Sequence, residues 1–186
     1  MKIKIYIYSD ANPPIEIRSN NFENIDLSGL NLHRAILTGK SLKNSKLIRT
    51  DFRSASMQYT DLSNCNLTNS RFTFSESEGI NLQNSNMERC LANNCDFRKA
   101  NFTNTNMKDI ILVNSHLHGA IVLGLNIETA NIKGVKFDQS TVWPEGYNPL
   151  EHGAIKEVSN FSNEFSEKEL IEFAKMHINE IKKEYK

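Results

Sequence analysis

Three cysteines and two closely spaced histidines are the residues most able to do chemistry in this chain. Cys65, Cys90 and Cys95 supply thiols, and His116 and His118 supply imidazoles, the groups that bind transition metals or carry redox reactions. The spacing of five between Cys90 and Cys95 differs from that of a Cys-x-x-Cys metal or redox site. The two histidines have no obvious third ligand in the sequence.

A period of five residues runs through the same region and accounts for the cysteines. From Phe22 to Phe137, every fifth residue falls in one register of 24 positions, of which 22 are Leu, Phe, Met, Ile or Val. Two residues before each of these, 17 of the 24 positions carry Ala, Ser, Thr, Cys or Val. A period of five residues matches neither the period of an α-helix nor that of a β-strand. We therefore predict a narrow solenoid in which the large and the small positions both point inward. The cysteines take the small inward position and are interpreted as core residues.

The large inward positions define the expected structural core of this solenoid. Its representatives are Phe22, Leu27, Leu42, Leu62, Phe72, Leu82, Phe97, Phe102, Leu117 and Phe137. Ser77 and Ala92 are the two exceptions in the register, and the stretch around Ser77 is the one irregular spot, which can at most bulge locally.

Asparagines recur at a longer period of twenty, which predicts a turn made of four five-residue units. One column comprises Asn24, Asn44, Asn64, Asn84 and Asn104 and ends at Gly124, and a second comprises Asn66, Asn86, Asn106 and Asn126. Stacked amides bond to one another along such columns, so we predict an asparagine ladder. The alternative is that asparagine is simply frequent in the repeat.

The two histidines are predicted to point outward in columns of alternating charge. Stacking by twenty gives one column of Glu76, Asp96, His116 and Lys136 and a neighbouring column of Glu78, Arg98, His118 and Asp138. Opposite charges on adjacent strands attract weakly, so we interpret both columns as solvated ladders. A metal ion or a partner contact at the histidines is the alternative interpretation.

Residues 25–32, 60–67 and 100–107 resemble the A(D/N)LXX unit of the pentapeptide-repeat family. Residues 141–150 likewise resemble the T-x-W-P-(E/D)-G-F-(D/N)-P tail that follows the repeats in many bacterial members. The resemblance implies an all-β solenoid, a right-handed quadrilateral β-helix of about six coils. We expect an N-terminal β-strand cap at 1–19, the repeat β-helix at 20–142, a closing loop at 143–162 with Trp143 over the last coil, and an amphipathic helix at 163–186.

The C-terminal segment carries a capping box, Ser166 and Glu169, ahead of an apolar stripe. That stripe comprises Leu170, Phe173, Ala174, His177, Ile178 and Ile181. Because an apolar helix face must be buried, we expect a homodimer through this end, as the family resemblance implies. Folding back onto the outward apolar residues Ile111, Val113, Ile121 and Leu123 is one alternative, and a groove on a partner protein is another.

Charge and motif content narrow the function classes. Residues 20–142 carry 13 basic and 11 acidic side chains, so no basic stripe predicts direct nucleic-acid binding. The sequence has no apolar run of membrane-spanning length and no signal peptide, so we expect a cytoplasmic protein without membrane contact. It has no nucleophile elbow, phosphate loop or zinc motif, so we expect neither an enzyme nor a cofactor, a catalytic residue or a metal site.

Two main function classes stay open, with an effector or immunity role as a third. The first is a non-catalytic, rigid rod that acts as a protein–protein interaction scaffold for an unknown partner. The second, implied by the resemblance, is a DNA mimic that binds DNA gyrase or topoisomerase IV and confers resistance to quinolones or toxins. A mimic of duplex DNA needs an acidic stripe. The acids here alternate with bases, and no insertion breaks the register, so the scaffold is preferred.

Overall fold

The chain forms a four-sided β-helix in which turns of twenty residues stack on one another. The computed structural model describes residues 3–7, 15–19 and 21–158. Parallel bridges join residues twenty apart, as in Asp26–Lys46, Lys46–Asn66 and Asn66–Asn86. The period of twenty predicted from the sequence is therefore confirmed. We number the four sides by the inward residue that each contributes to one turn: Leu42, Leu47, Phe52 and Met57.

Each five-residue unit ends in a turn whose last residue has a left-handed backbone. From Asn24 to Gly119 every fifth residue has a positive φ, between 53° and 73°. Asn and Gly occupy most of these positions, because both adopt this conformation at little cost. The inward residue that precedes the turn donates its N–H to the next coil, as from Leu27 to the carbonyl of Lys46 at 2.9 Å.

The inside of the rod is filled by the large residues of the register. Phe52, Phe72, Phe97 and Phe102 form a chain of ring contacts with centroids 5.1 to 6.5 Å apart. Of the ten core representatives, nine are buried: Leu27, Leu42, Leu62, Phe72, Leu82, Phe97, Phe102, Leu117 and Phe137. Phe22, at the first turn, is half-buried against the same cluster.

Small inward residues that carry a hydroxyl also form hydrogen bonds between successive coils. Thr60 donates its hydroxyl to the carbonyl of Leu37 at 2.8 Å, and Ser115 bonds the carbonyl of Ala92 at 2.7 Å in the same way. These donors reach a carbonyl 23 residues earlier, on the preceding coil. Side-chain hydrogen bonds therefore cross-link successive coils inside the tube, a role that residue size alone does not predict.

Two short strands precede the β-helix. β1 (Ile3–Ile7) and β2 (Ile15–Ser19) pair antiparallel, with Ile5 opposite Ile17. Both strands lie within residues 1–19, where the sequence predicted a β-strand cap. Ile7 is buried and belongs to the same hydrophobic cluster as the β-helix core, so this hairpin is continuous with the rod.

The stretch around Ser77, which the sequence allowed at most a local bulge, is regular, and a departure from the spacing of twenty lies instead at residues 121–131. Ser77 is buried in a regular unit, with its hydroxyl 2.9 Å from that of Ser75. In contrast, Leu125 pairs with Asn106 at a spacing of nineteen, and the 3-10 helix Ile127–Thr129 then restores the register. A side chain at Gly124 would collide with Met107, which explains why a glycine stands at this shortened turn.

The chain beyond the last coil returns to the rod and extends it. A second 3-10 helix, Pro149–His152, leads into β4 (Ile155–Lys156), which pairs in parallel with β3 (Lys136–Phe137). Pro149 is accommodated because it stands at the start of the 3-10 helix, where no N–H is needed. The predicted amphipathic helix lies outside the described residues.

Candidate functional site

The charged columns on the fourth side carry ion pairs along their exposed faces. Arg98 binds Asp96 at 2.6 Å and approaches Glu78 at 3.5 Å, while Lys99 contacts Glu78 at 2.9 Å. Burial alone would raise the pKa of Asp96, but the hydrogen bonds from Arg98 lower it below its ordinary value. These pairs are solvent-exposed and contribute about 0–1 kcal/mol each.

Asp138 does not belong to the solvated ladder in which the sequence placed it. It is buried, and its Oδ1 accepts hydrogen bonds from the backbone N–H and the hydroxyl of Ser140 and from the N–H of Gly119. Burial alone would raise the pKa of Asp138, and these bonds hold it below its ordinary value. Asp138 thus stabilises the last turn of the rod.

His116 and His118 lie on the same side, with ring centroids 5.8 Å apart. His118 Nε2 lies 3.1 Å from Glu157, a residue of the returning tail that also binds Lys136 at 2.8 Å. Partial burial and the nearby Lys136 lower the pKa of His116. Within the described part of the chain, no group of three or more His, Cys, Asp or Glu side chains could hold a metal ion.

The cysteine side chains point into the tube and act as hydrogen-bond donors. Cys65, Cys90 and Cys95 are free and buried, and their Sγ atoms lie 2.9 to 3.0 Å from the carbonyls of Leu42, Leu67 and Phe72. Burial raises the pKa of the three thiols to about 11, 12 and 11. Nucleophilic cysteines need the opposite shift, so these thiols suit a structural role.

The two asparagine columns differ in what they do. In the column that begins at Asn24, the backbone is left-handed at every asparagine, and Asn104 donates to Asn84 at 3.2 Å. In the second column, Asn106 donates to Asn86 at 2.9 Å and Asn126 to Asn106 at 2.8 Å. Amide-to-amide bonds are thus found mainly in the second column, whereas the first column supplies residues suited to the turns.

Trp143 lies against the last coil at the C-terminal end of the described rod. Its ring meets Phe137 edge-on at 5.5 Å and stacks on Tyr147 at 5.7 Å, and Tyr147 in turn stacks on His152 at 4.7 Å. This arrangement places aromatic rings over the end of the hydrophobic core. Closure of the rod by Trp143 remains our interpretation of these contacts.

Besides Ile155 of β4, which is 49% exposed, three large apolar side chains are exposed on or beside the fourth side. Ile36 lies on that side, and Tyr59 and Phe74 stand at the two corners that border it. Their exposed fractions are 62%, 63% and 61%. The sequence had pointed instead to Ile111, Val113, Ile121 and Leu123, which are half-buried. The signal that was available is an aromatic residue at a turn position that Asn or Gly holds in most units.

The described residues include no helix long and apolar enough to cross a membrane. Residues 41–73 and 80–119 match the family model for pentapeptide repeats, with eight copies of the unit. None of the curated proteins compared with the chain matches it.

Several solved structures are similar to the chain. Full-length QnrB1, described as a plasmid-mediated fluoroquinolone resistance protein, is 14% identical, with 75% of this chain and 82% of that chain covered and a TM-score of 0.41. A pentapeptide repeat protein from the Arabidopsis thaliana thylakoid lumen is 21% identical over 80% and 88% of the two chains, with a TM-score of 0.39. Another, from the cyanobacterium Cyanothece, is 26% identical over 66% and 91%, with a TM-score of 0.30.

Proposed function

The chain is a pentapeptide-repeat protein, and we propose that its rod is a non-catalytic binding platform for a partner protein. The observation that supports this most directly is the exposure of Ile36, Tyr59 and Phe74 around the fourth side. Aromatic side chains are enriched at protein interfaces, because they bury much apolar area and lose little conformational entropy. A flat side with three exposed anchors suits docking of a folded protein.

The backbone at two of these anchors supports the same proposal. Tyr59 and Phe74 have φ values of 55° and 62°, in the left-handed region that disfavours bulky residues. A left-handed L-residue costs about 1–2 kcal/mol, and Asn or Gly carries most of the equivalent turns at lower cost. The aromatic rings are thus not required by the turns, and strained residues of this kind cluster at binding surfaces.

Charge defines the chemistry expected of the partner. Glu76 lies on the fourth side, accepts a hydrogen bond from Gln58 at 2.8 Å, and has no ion pair with a described residue. Glu78 and Asp96, further along the side, are already paired with Arg98 and Lys99. We therefore expect a partner with an apolar contact area and a basic residue that meets Glu76.

Replacing the aromatic anchors with asparagine tests the proposal without disturbing the turns. The double variant Tyr59→Asn and Phe74→Asn is compared with the unmodified protein in affinity capture from a lysate of the source cells. The matched control, Asn44→Gly, changes the same turn position (φ 59°) on the corner between the first and second sides. Each captured protein is then purified and titrated by calorimetry.

A partner that binds the unmodified protein and Asn44→Gly equally, and binds the double variant at least about tenfold more weakly, would support the proposal. An unchanged affinity of the double variant for every purified partner would overturn it. So would the absence of any captured protein that binds on titration.

The gyrase alternative is tested separately, because a mimic of duplex DNA needs a strongly acidic surface. A duplex carries one negative charge per about 1.7 Å, whereas the acids of this rod alternate with bases such as Arg98 and Arg53. We expect no inhibition of gyrase supercoiling and no relief of quinolone-stabilised cleavage at micromolar protein. Inhibition or relief would support the DNA-mimic function instead.

A further inference from the structure

An open groove of about 780 Å³ runs along the corner between the second and third sides. Two stacked columns form its walls, one containing Arg49 and Arg89 and the other containing Asp51, Arg71 and Leu91. The groove is open to solvent, unlike an enclosed small-molecule pocket. Three of the residues that line the groove are arginines, and one is acidic.

The charges in the groove leave arginine donors available. Asp51 is already held by Arg53, with Nε 2.9 Å from Oδ1 and Nη2 2.7 Å from Oδ2. Arg89 makes only longer contacts, 3.7 Å to Asp109 and 3.9 Å to Glu88. Among the described residues, neither Arg49 nor Arg71 has an ion-pair partner within 4.0 Å. Arg71 still acts on Asp51 from a greater distance: burial raises the pKa of that carboxyl, and the bonds from Arg53 together with the charge of Arg71 lower it. A guanidinium that lacks a carboxylate partner is a strong bidentate donor for an incoming one.

The backbone does not require arginine at this corner. Arg49 and Arg89 both have a φ of 57°, at the turn position where Asn69 stands on the coil between them. Arginine offers no conformational advantage over asparagine in the left-handed region. Basic residues also hold this turn position outside the groove, at Arg34 and Lys99, so the charges that face the groove, and not its backbone, point to an anionic ligand.

Strand spacing sets the scale of the ligand. Successive coils are about 4.8 Å apart, so Arg49 and Arg89 are separated by roughly 10 Å along the rod, and Arg71 lies at the level between them. An extended peptide advances about 3.3 Å per residue, so four or five residues would span the three arginines. Leu30 and Leu91 also line the groove and offer contact to an apolar side chain of such a peptide.

We propose that this groove, lined by Arg49, Arg71 and Arg89, binds an extended acidic peptide segment of a partner protein. A nucleic acid fits less well, because Asp51 lies in the groove and a phosphate backbone requires a continuous basic stripe. The groove lies on a different corner from Tyr59 and Phe74. Loss of binding at one surface therefore leaves the other available, and the two proposals fail separately.

Fluorescence anisotropy with defined probes tests the groove directly. The probe is a fluorescein-labelled ten-residue peptide of alternating glutamate and alanine, titrated with full-length protein at about 0.1 M salt, where screening extends over roughly 10 Å. An alternating lysine–alanine peptide and a labelled short DNA duplex are titrated in parallel. The groove variant is Arg49→Asn with Arg71→Gln, which keeps a left-handed residue at the turn.

The charge-matched control is Lys99→Asn with Lys108→Gln. Lys99 has the same φ of 57° as Arg49 but stands on another corner, and Lys108 is exposed outside the groove. We expect the acidic peptide to bind the unmodified protein and the control alike, and the groove variant to bind at least about tenfold more weakly, which is about 1.4 kcal/mol.

Three results would overturn the proposal. The first is no anisotropy change with the acidic peptide up to millimolar protein. The second is an equal loss of affinity in the control, which would indicate unspecific charge attraction. The third is stronger binding of the duplex than of the peptide, which would assign the groove to nucleic acid. Circular dichroism of each variant checks that the fold is retained.

Discussion

The ring of Tyr59 lies directly over Gly79, so that a Cβ on Gly79 would stand 2.6 Å from Tyr59 Cδ1. The two residues occupy the same turn position on successive coils, and Gly79 has a φ of 65°. The absence of a side chain at Gly79 thus determines where the Tyr59 ring rests. A side chain at Gly79 would therefore change the orientation of the Tyr59 ring, one of the proposed binding anchors.

We predict that Gly79→Ala alters partner binding more than it alters stability. The new methyl group would displace the exposed Tyr59 ring, which can rotate away, so the fold should lose only the cost of a left-handed alanine. That cost is about 1 kcal/mol, or about 2–4 °C in the thermal midpoint. The measurements are thermal unfolding and calorimetric titration of the partner identified by capture.

Gly39→Ala is the matched control for this prediction. Gly39 has a nearly identical φ of 66°, but nothing lies within 4 Å of its hypothetical Cβ. Both variants should lose similar stability, and only Gly79→Ala should weaken binding. Equal affinities for the two variants would show that the position of the Tyr59 ring does not matter for the partner.

Phe74→Asn should stabilise the protein even though it removes an aromatic ring. Phe74 is 61% exposed and has a φ of 62°, so asparagine would relieve backbone strain at little loss of burial. We expect an increase of about 1 kcal/mol, or about 2–4 °C in the thermal midpoint. The reverse change, Asn94→Phe, lies one coil further in the same column (φ 54°) and should lower the midpoint by a similar amount. A lower midpoint for Phe74→Asn would mean that the exposed ring stabilises the fold.

The repeat made the β-helix predictable, because its inward residues follow a fixed register. Leu42, Leu62 and Leu82 are buried where the period of five placed them. The register could not show that the unit before Leu125 is one residue short, because the 3-10 helix Ile127–Thr129 compensates for it within the next unit. The shortened unit and the compensating 3-10 helix cancel, so the spacing of the inward residues in the sequence does not change.

The candidate surfaces were less predictable than the core. Outward positions obey no packing rule, so the sequence did not distinguish Ile36, which is 62% exposed, from Ile111, which is half-buried. The arginine groove depends on residues at two different repeat positions, Arg49 and Arg71, and becomes visible only when coils are stacked. Backbone conformation at Tyr59 was in principle readable, because its repeat position is usually held by Asn or Gly.

The hydroxyl of Thr60 should contribute measurably to stability through its bond to the preceding coil. It donates to the carbonyl of Leu37 at 2.8 Å in a buried environment. Thr60→Val keeps the shape and removes the donor, so we expect a loss of about 1 kcal/mol. Chemical denaturation measures the change. The control is Ser85→Ala, because the buried Ser85 hydroxyl has no hydrogen-bond partner, and its removal should be neutral or stabilising. Equal losses for the two variants would contradict a role for these inward hydroxyls.

The three buried cysteines should make stability fall at alkaline pH. Burial raises the pKa of Cys65, Cys90 and Cys95 from an ordinary value of 9.0 to about 11, 12 and 11. Below pH 9 the thiols are protonated in both states and add no pH dependence. Above pH 9 the unfolded chain loses thiol protons that the folded chain keeps, so the free energy of unfolding falls as pH rises toward the folded pKa values. The slope is at most about 1.4 kcal/mol per thiol and pH unit.

The test compares unfolding free energies at pH 8 and pH 10 for the unmodified protein and for Cys65→Ala with Cys90→Ala and Cys95→Ala. Alanine already fills the same inward position at Ala35, Ala55 and Ala100, so the variant should fold. Lysine and tyrosine titrate in both proteins, and the difference between the two pH dependences therefore isolates the thiols.

Iodoacetamide at pH 8 should label the native cysteines only as fast as the protein unfolds. Rapid labelling of the folded protein, or identical pH dependences, would show that the thiols are not held protonated in the core.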